Sequence, residues 1–106
     1  MDAQYVRNRI TELRMLKGVS EYRMSYDLGH SRSYINNITS GKALPSIPEF
    51  FAICDYFEIT PVAFFDEENK NPELLQKVIE AVKRLDNPDL LLILSHINRL
   101  EATIKQ

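Results

Sequence analysis

The sequence predicts an all-α fold, a five-helix module followed by a two-helix C-terminal hairpin. Three observations predict it. Apolar residues recur at spacings of three and four along almost the whole chain, the period of a helix with one buried face. No run alternates apolar and polar residues over strand-like lengths between turn signals. Residues that cap helices, Ser, Thr and Asn, stand repeatedly where an apolar period begins.

Val6, Ile10 and Leu13 lie on one face of a first helix, which Gly18 is expected to end in a left-handed cap. Ser20 caps a second short helix that turns Met24 and Leu28 inward and stops at Gly29. Ser31 is expected to cap a third, over residues 31–40, with Ile35 and Ile38 facing in and Gly41 ending it. Ser46-Ile47-Pro48-Glu49 has the form of a capping box, and the helix behind it is expected to bury Phe50, Ile53, Cys54 and Phe57. Thr60-Pro61 opens a fifth short helix through Phe65, proline fitting a first turn because its missing amide proton is not needed there.

Residues 66–71 are a polar connector, which divides the chain into domains 1–66 and 72–106. Beyond it, Asn71-Pro72-Glu73 and Asn87-Pro88-Asp89 each offer a capping Asn, a proline at the first helical position and an acid facing the positive helix end. The first of these helices carries Leu75, Val78, Ile79, Val82 and Leu85 on one side. The second carries Leu90, Ile93, Ile97, Leu100 and Ile104 at alternating spacings of three and four, with Leu91, Leu92 and Leu94 on other faces. Eight apolar residues within 90–104 exceed what one hairpin face can hide, because one stripe covers under half a helix. The surplus points to a homodimer, with Leu90, Ile93, Leu94, Ile97, Leu100 and Ile104 as its interface.

Composition narrows the function. Forty-four per cent hydrophobic residues suffices for a core, and the single cysteine, Cys54, set among aromatics, is a small buried hydrophobe. No stretch approaches the roughly 20 apolar residues of a membrane helix. Met1-Asp2-Ala3-Gln4 has no signal-peptide character, so a cytoplasmic protein is expected. The net charge is −2, but it is unevenly spread: seven bases stand against four acids through residue 46, and six against eleven beyond it. A weakly basic front half is compatible with one face meeting phosphate. His30 and His96 lack partners at metal-ligand spacing, and no phosphate loop, nucleophile–base pair, cofactor box or small-molecule site stands out. Phe50, Phe51, Tyr56, Phe57, Phe64 and Phe65 are assigned to core or subunit interface, so neither catalysis nor a cofactor is expected.

The informative stretch is 21–42. Two short helices that cross steeply need a small residue at the crossing and a turn residue tolerant of positive φ. Ser25 and Gly29 supply them. Met24 and Leu28 before the turn and Ile35 and Ile38 after it lock the pair. Arg32, Ser33, Asn36 and Asn37 are left outward, all able to hydrogen-bond. From Leu13 to Lys42, and on through Pro45-Ser46 to about Phe65, the chain resembles the Cro and phage-repressor type of helix-turn-helix regulator. That resemblance implies a lambda-repressor-like DNA-binding module whose third helix lies in the major groove.

Carried over position by position, the resemblance places Ser31, Arg32, Ser33 and Asn37 where the family contacts bases. The chemistry agrees, since Arg forks onto guanine and Asn onto adenine. Tyr34, Asn36, Ser40 and Lys42 fall nearer the phosphates, with packing against the first or fourth helix as the alternative for Tyr34. The chain departs from the family at three places. Glu21 stands where Gln is usual and would repel a phosphate, His30 stands where a small apolar residue is common, and Thr39 stands where a Glu often pairs with an Arg like Arg14. The resemblance implies a transcriptional regulator, most simply a repressor reading an inverted repeat in double-stranded DNA. The alternative is an antirepressor or antitoxin that keeps the fold without reading DNA.

Overall fold

A computed structural model of the chain describes residues 1–68 and 70–104. Those residues form α1 (Ala3–Lys17), α2 (Glu21–Asp27), α3 (Tyr34–Thr39), α4 (Ile47–Tyr56), α5 (Pro61–Phe64), α6 (Pro72–Val82) and α7 (Asn87–Ile104). No strand occurs among the described residues. The expected all-α architecture of five helices followed by two is what the chain adopts. It divides into two compact units, Met1–Gln76 and Lys77–Gln106, the division falling within α6.

Local chemistry sets the helix ends of the first unit. Asp2, Ser20, Ser46 and Thr60 each accept a first-turn amide through the side chain. Ser46 and Glu49 form the reciprocal box, with Ser46 N donating to Glu49 Oε1 at 2.7 Å and Glu49 N to Ser46 Oγ at 3.2 Å. That backbone bond, with the Ser46 hydroxyl and the nearby His30, holds the Glu49 carboxyl below the usual carboxylate range. Gly18 ends α1 in the left-handed conformation, its amide bonded to the carbonyls of Arg14 and Met15.

Ile10, Leu13, Met24, Ile35, Ile38, Ile53, Cys54, Phe57, Ile59 and Phe64 form one core drawn from α1 to α5. Each large side chain taken fully out of water stabilises the fold by about 1.5–3 kcal/mol. Burial pushes the Cys54 thiol up to about 11, with the charge of Asp55 adding to it, so it stays protonated at neutral pH. Phe50 packs against this core only half-buried and Phe51 is exposed, which corrects the expectation that Phe50 is fully inside. A buried charge completes the unit. Arg9, 3% exposed, donates to the carbonyls of Phe64 (2.8 Å) and Ala63 (2.9 Å) at the end of α5 and to Glu12 (2.6 Å).

Two expected caps are placed differently. Helix α3 begins at Tyr34, not at Ser31. Ser31 contributes only its carbonyl, to Tyr34 N at 3.0 Å, and the cap residue Ser33 makes no side-chain cap bond. The start of α7 is served by Asp86, whose Oδ1 accepts from Asp89 N at 3.3 Å. Asn87, expected as the cap, is itself the first helical residue. A carboxylate is the stronger acceptor at a positive helix end.

The second unit has no fully buried residue among those described. Within it Ile79, Val82 and Leu85 are half-buried, and no residue of α7 is buried.

Candidate nucleic-acid interface

The α2–turn–α3 segment is assembled around one small side chain. Ser25 is completely buried, and its Oγ donates to Glu21 O at 2.7 Å and accepts from Ile35 N at 3.1 Å. The first bond is the common back-bond of a helical serine. The second crosses between helices and satisfies a first-turn amide of α3 from outside. This is the physical reason that α3 needs no side-chain cap of its own and starts three residues later than Ser31. Ser25 therefore does more than permit a close crossing.

Gly29 makes the turn at φ +77°, and a Cβ there would meet no atom within 4 Å. The requirement for glycine is conformational and not one of space. His30 N continues the turn by donating to Ser25 O at 3.0 Å. On the inner side Met24, Ile35 and Ile38 are buried and Leu28 packs against them. From α1, Arg7 Nε donates to Ile38 O at 3.0 Å, which steadies the C-terminal end of α3. Past that end, Lys42 N and Ala43 N both donate to Asn37 O, at 2.9 and 3.0 Å.

The outward edge is polar. Ser31, Arg32, Ser33, Asn36, Ser40 and Lys42 are exposed and Asn37 is half-buried. Neither Arg32 nor Lys42 is ion-paired among the described residues, so both guanidinium and ammonium are open to an anion or a base edge.

Tyr34 corrects an expectation. Its ring stacks on His30 with centroids 3.8 Å apart and planes 9° from parallel, and its hydroxyl is enclosed without a well-formed hydrogen bond. Burial and the neighbouring Glu49 carboxylate push that phenol up to about 12. The hydroxyl expected at a phosphate is turned into the protein, where it cannot reach one. His30 Nε2 lies 3.8 Å from Glu49 Oε2, so the turn rests against the start of α4.

Glu21, which carries a charge unwelcome near phosphate, is occupied. Its carboxylate accepts from the hydroxyl of Thr39 and, at 3.3 Å, from Nδ2 of Asn36. Three residues that sequence reasoning treated separately are thus one cluster joining α2 to α3. Thr39 stands where the resembling family often has an acid that pairs with Arg14. Here Arg14 Nη1 instead donates to Val19 O at 2.8 Å, and its Nε is enclosed without a partner. The hydrogen-bonding roles of Ser25 and Glu21, and any role for Arg7 and Arg9, were missed from sequence. The only signal for them was the presence of polar residues on faces that also carry core positions.

A sequence profile described as Helix-turn-helix matches residues 10–64. No curated protein and no solved structure matches the chain. No helix among the described residues is long and apolar enough to cross a membrane.

Proposed function

Because this chain belongs to the helix-turn-helix family, of the Cro and phage-repressor type and DNA-binding in character, we propose that it is a repressor that binds an inverted-repeat operator as a homodimer. The observation that carries the proposal is the contrast across α3. Ile35 and Ile38 are fully buried, while Asn36 on the helix and Arg32 and Ser33 in the turn before it are exposed, with the Arg32 guanidinium in no ion pair among the described residues. Such an edge has donors and acceptors ready for the major groove at little conformational cost.

In this proposal Ser31, Arg32, Ser33 and Asn37 read base edges, while Ser40 and Lys42 take phosphates and set the register. Residues 1–66 bind DNA and residues 72–106 pair two copies. Leu90, Ile93, Leu94, Ile97, Leu100 and Ile104, each between 37% and 82% exposed, supply the apolar seam. Two-fold pairing sets two α3 helices on half-sites about 34 Å apart, which is why an inverted repeat is the expected target.

The alternative, an interaction module that does not read DNA, drew on Glu21 and on the net negative charge. Engagement of the Glu21 carboxylate by Thr39 and Asn36 weakens the first of these supports. Selection from a random duplex pool, with salt varied, tests the proposal. Enrichment of a two-fold symmetric sequence is the expected result, and recovery of no sequence at any salt overturns it.

A further inference from the structure

We propose that Glu21 is a positioning residue for base recognition, holding the Asn36 amide so that Asn36 reads an exocyclic amino group instead of a phosphate. The inference rests on the DNA-reading assignment above and deepens it.

A carboxylate only accepts hydrogen bonds, so the end of the Asn36 amide that faces Glu21 must be its nitrogen, Nδ2, at 3.3 Å from Oε1. The other carboxylate oxygen, Oε2, is held by the Thr39 hydroxyl one turn along α3. Glu21 is half-buried and sits on the first turn of α2, so its own position is set by the helix and by two donors. The Asn36 amide is thereby held in one sense: Nδ2 is engaged by Glu21, and Oδ1, on the exposed Asn36 side chain, is left to accept a bond from outside. An outward carbonyl oxygen cannot bond a phosphate oxygen, since both are acceptors. It can accept from the amino group of adenine N6 or cytosine N4, the donors that the major groove offers. The second hydrogen on Nδ2 lies beside the Glu21 carboxylate, whose charge disfavours a phosphate oxygen there and leaves it for a neutral acceptor such as adenine N7. A free Asn side chain would present either end. Glu21 removes that ambiguity, and its charge disfavours phosphate at the same place.

The test uses the full chain and the duplex it selects from a random pool. Each adenine is replaced in turn by purine and each cytosine by 2-pyrimidinone, which lack the amino group. At one position per half-site the wild type should lose about ten-fold in affinity, and Asn36→Ala should lose nothing further from the same replacement. Glu21→Ala should bind unrelated DNA more tightly, because a negative charge is gone, yet discriminate less at that one position. Its discrimination elsewhere should stay intact, which a merely structural role would not produce.

Asn36 is exposed, so its alanine variant reports even if Glu21→Ala fails to fold. Uniform weakening of all sequences by Asn36→Ala, or no amino group whose removal is masked by it, overturns the proposal while leaving the regulator standing. If the wild type selects no sequence at all, both fall together.

Discussion

The two units of the chain bury their apolar residues to opposite degrees. In the first, α3 has six residues and two of them, Ile35 and Ile38, are fully inside. In the second, α7 has eighteen residues and none is buried. The first unit closes its core with polar devices: Ser25 across the turn, Arg9 on the carbonyls of α5, and hydroxyl and carboxylate caps. Its outward edge is polar as a result. In the second unit α7 has a start capped by Asp86 but exposes its Leu and Ile side chains. A helix that has found its partners shows water its polar side, and one that has not shows Leu and Ile. The first unit closes a core of its own, although Met15, Leu16, Ile47, Phe51 and Val62 stay exposed on it, and in the dimer proposed above a second copy would cover α7.

Substitutions that separate the two units test this contrast. The largest effect is expected from Phe64→Ala, which empties a fully buried aromatic site. It should cost about 3–5 kcal/mol and lower the denaturant midpoint of the first unit. An unchanged midpoint would mean that the core is not where the contrast places it. Ile97→Asp puts a charge on the open face of α7. It should convert a dimer to a monomer in sedimentation and abolish tight binding to a two-fold site, with the folding of the first unit retained. If the wild type already sediments as a monomer at micromolar concentration, the explanation of the open face fails.

Ser25→Ala leaves the Ile35 amide buried without its acceptor, at a cost of about 1–3 kcal/mol, visible in thermal melts of the first unit. Arg32→Ala should leave stability alone and cost about 1–3 kcal/mol of discrimination at one base position, measured by competition between single-base variants of the selected site. The smallest change is expected from Lys42→Ala. It should weaken all sequences alike and lower the slope of log affinity against log salt by about one.

Legibility followed the range of the interaction. Ser20, Ser46-Glu49 and Thr60-Pro61 were readable because a cap and its amide lie three residues apart, so the partner is dictated by helix geometry. Gly29 was readable because positive φ leaves few alternatives. The start of α3 was misplaced because the acceptor for its first turn, Ser25 Oγ, sits ten residues earlier on another helix. Tyr34 was left between packing and a phosphate for a related reason. Periodicity left its direction open, and the His30 ring and the Glu49 side chain turn it inward.

By itself the amino-acid order determined the helices, their punctuation apart from the starts of α3 and α7, the apolar faces and the helix-turn-helix resemblance, all properties of neighbours within a turn or two. Only the folded chain decided that Glu21, Asn36 and Thr39 form one cluster, that Arg9 is buried on the carbonyls of α5, and which face of Tyr34 meets solvent. Those outcomes depend on how helices cross. A crossing is set by the packing of Met24, Ile35, Ile38 and their neighbours together, so it cannot be read from any one stretch of sequence.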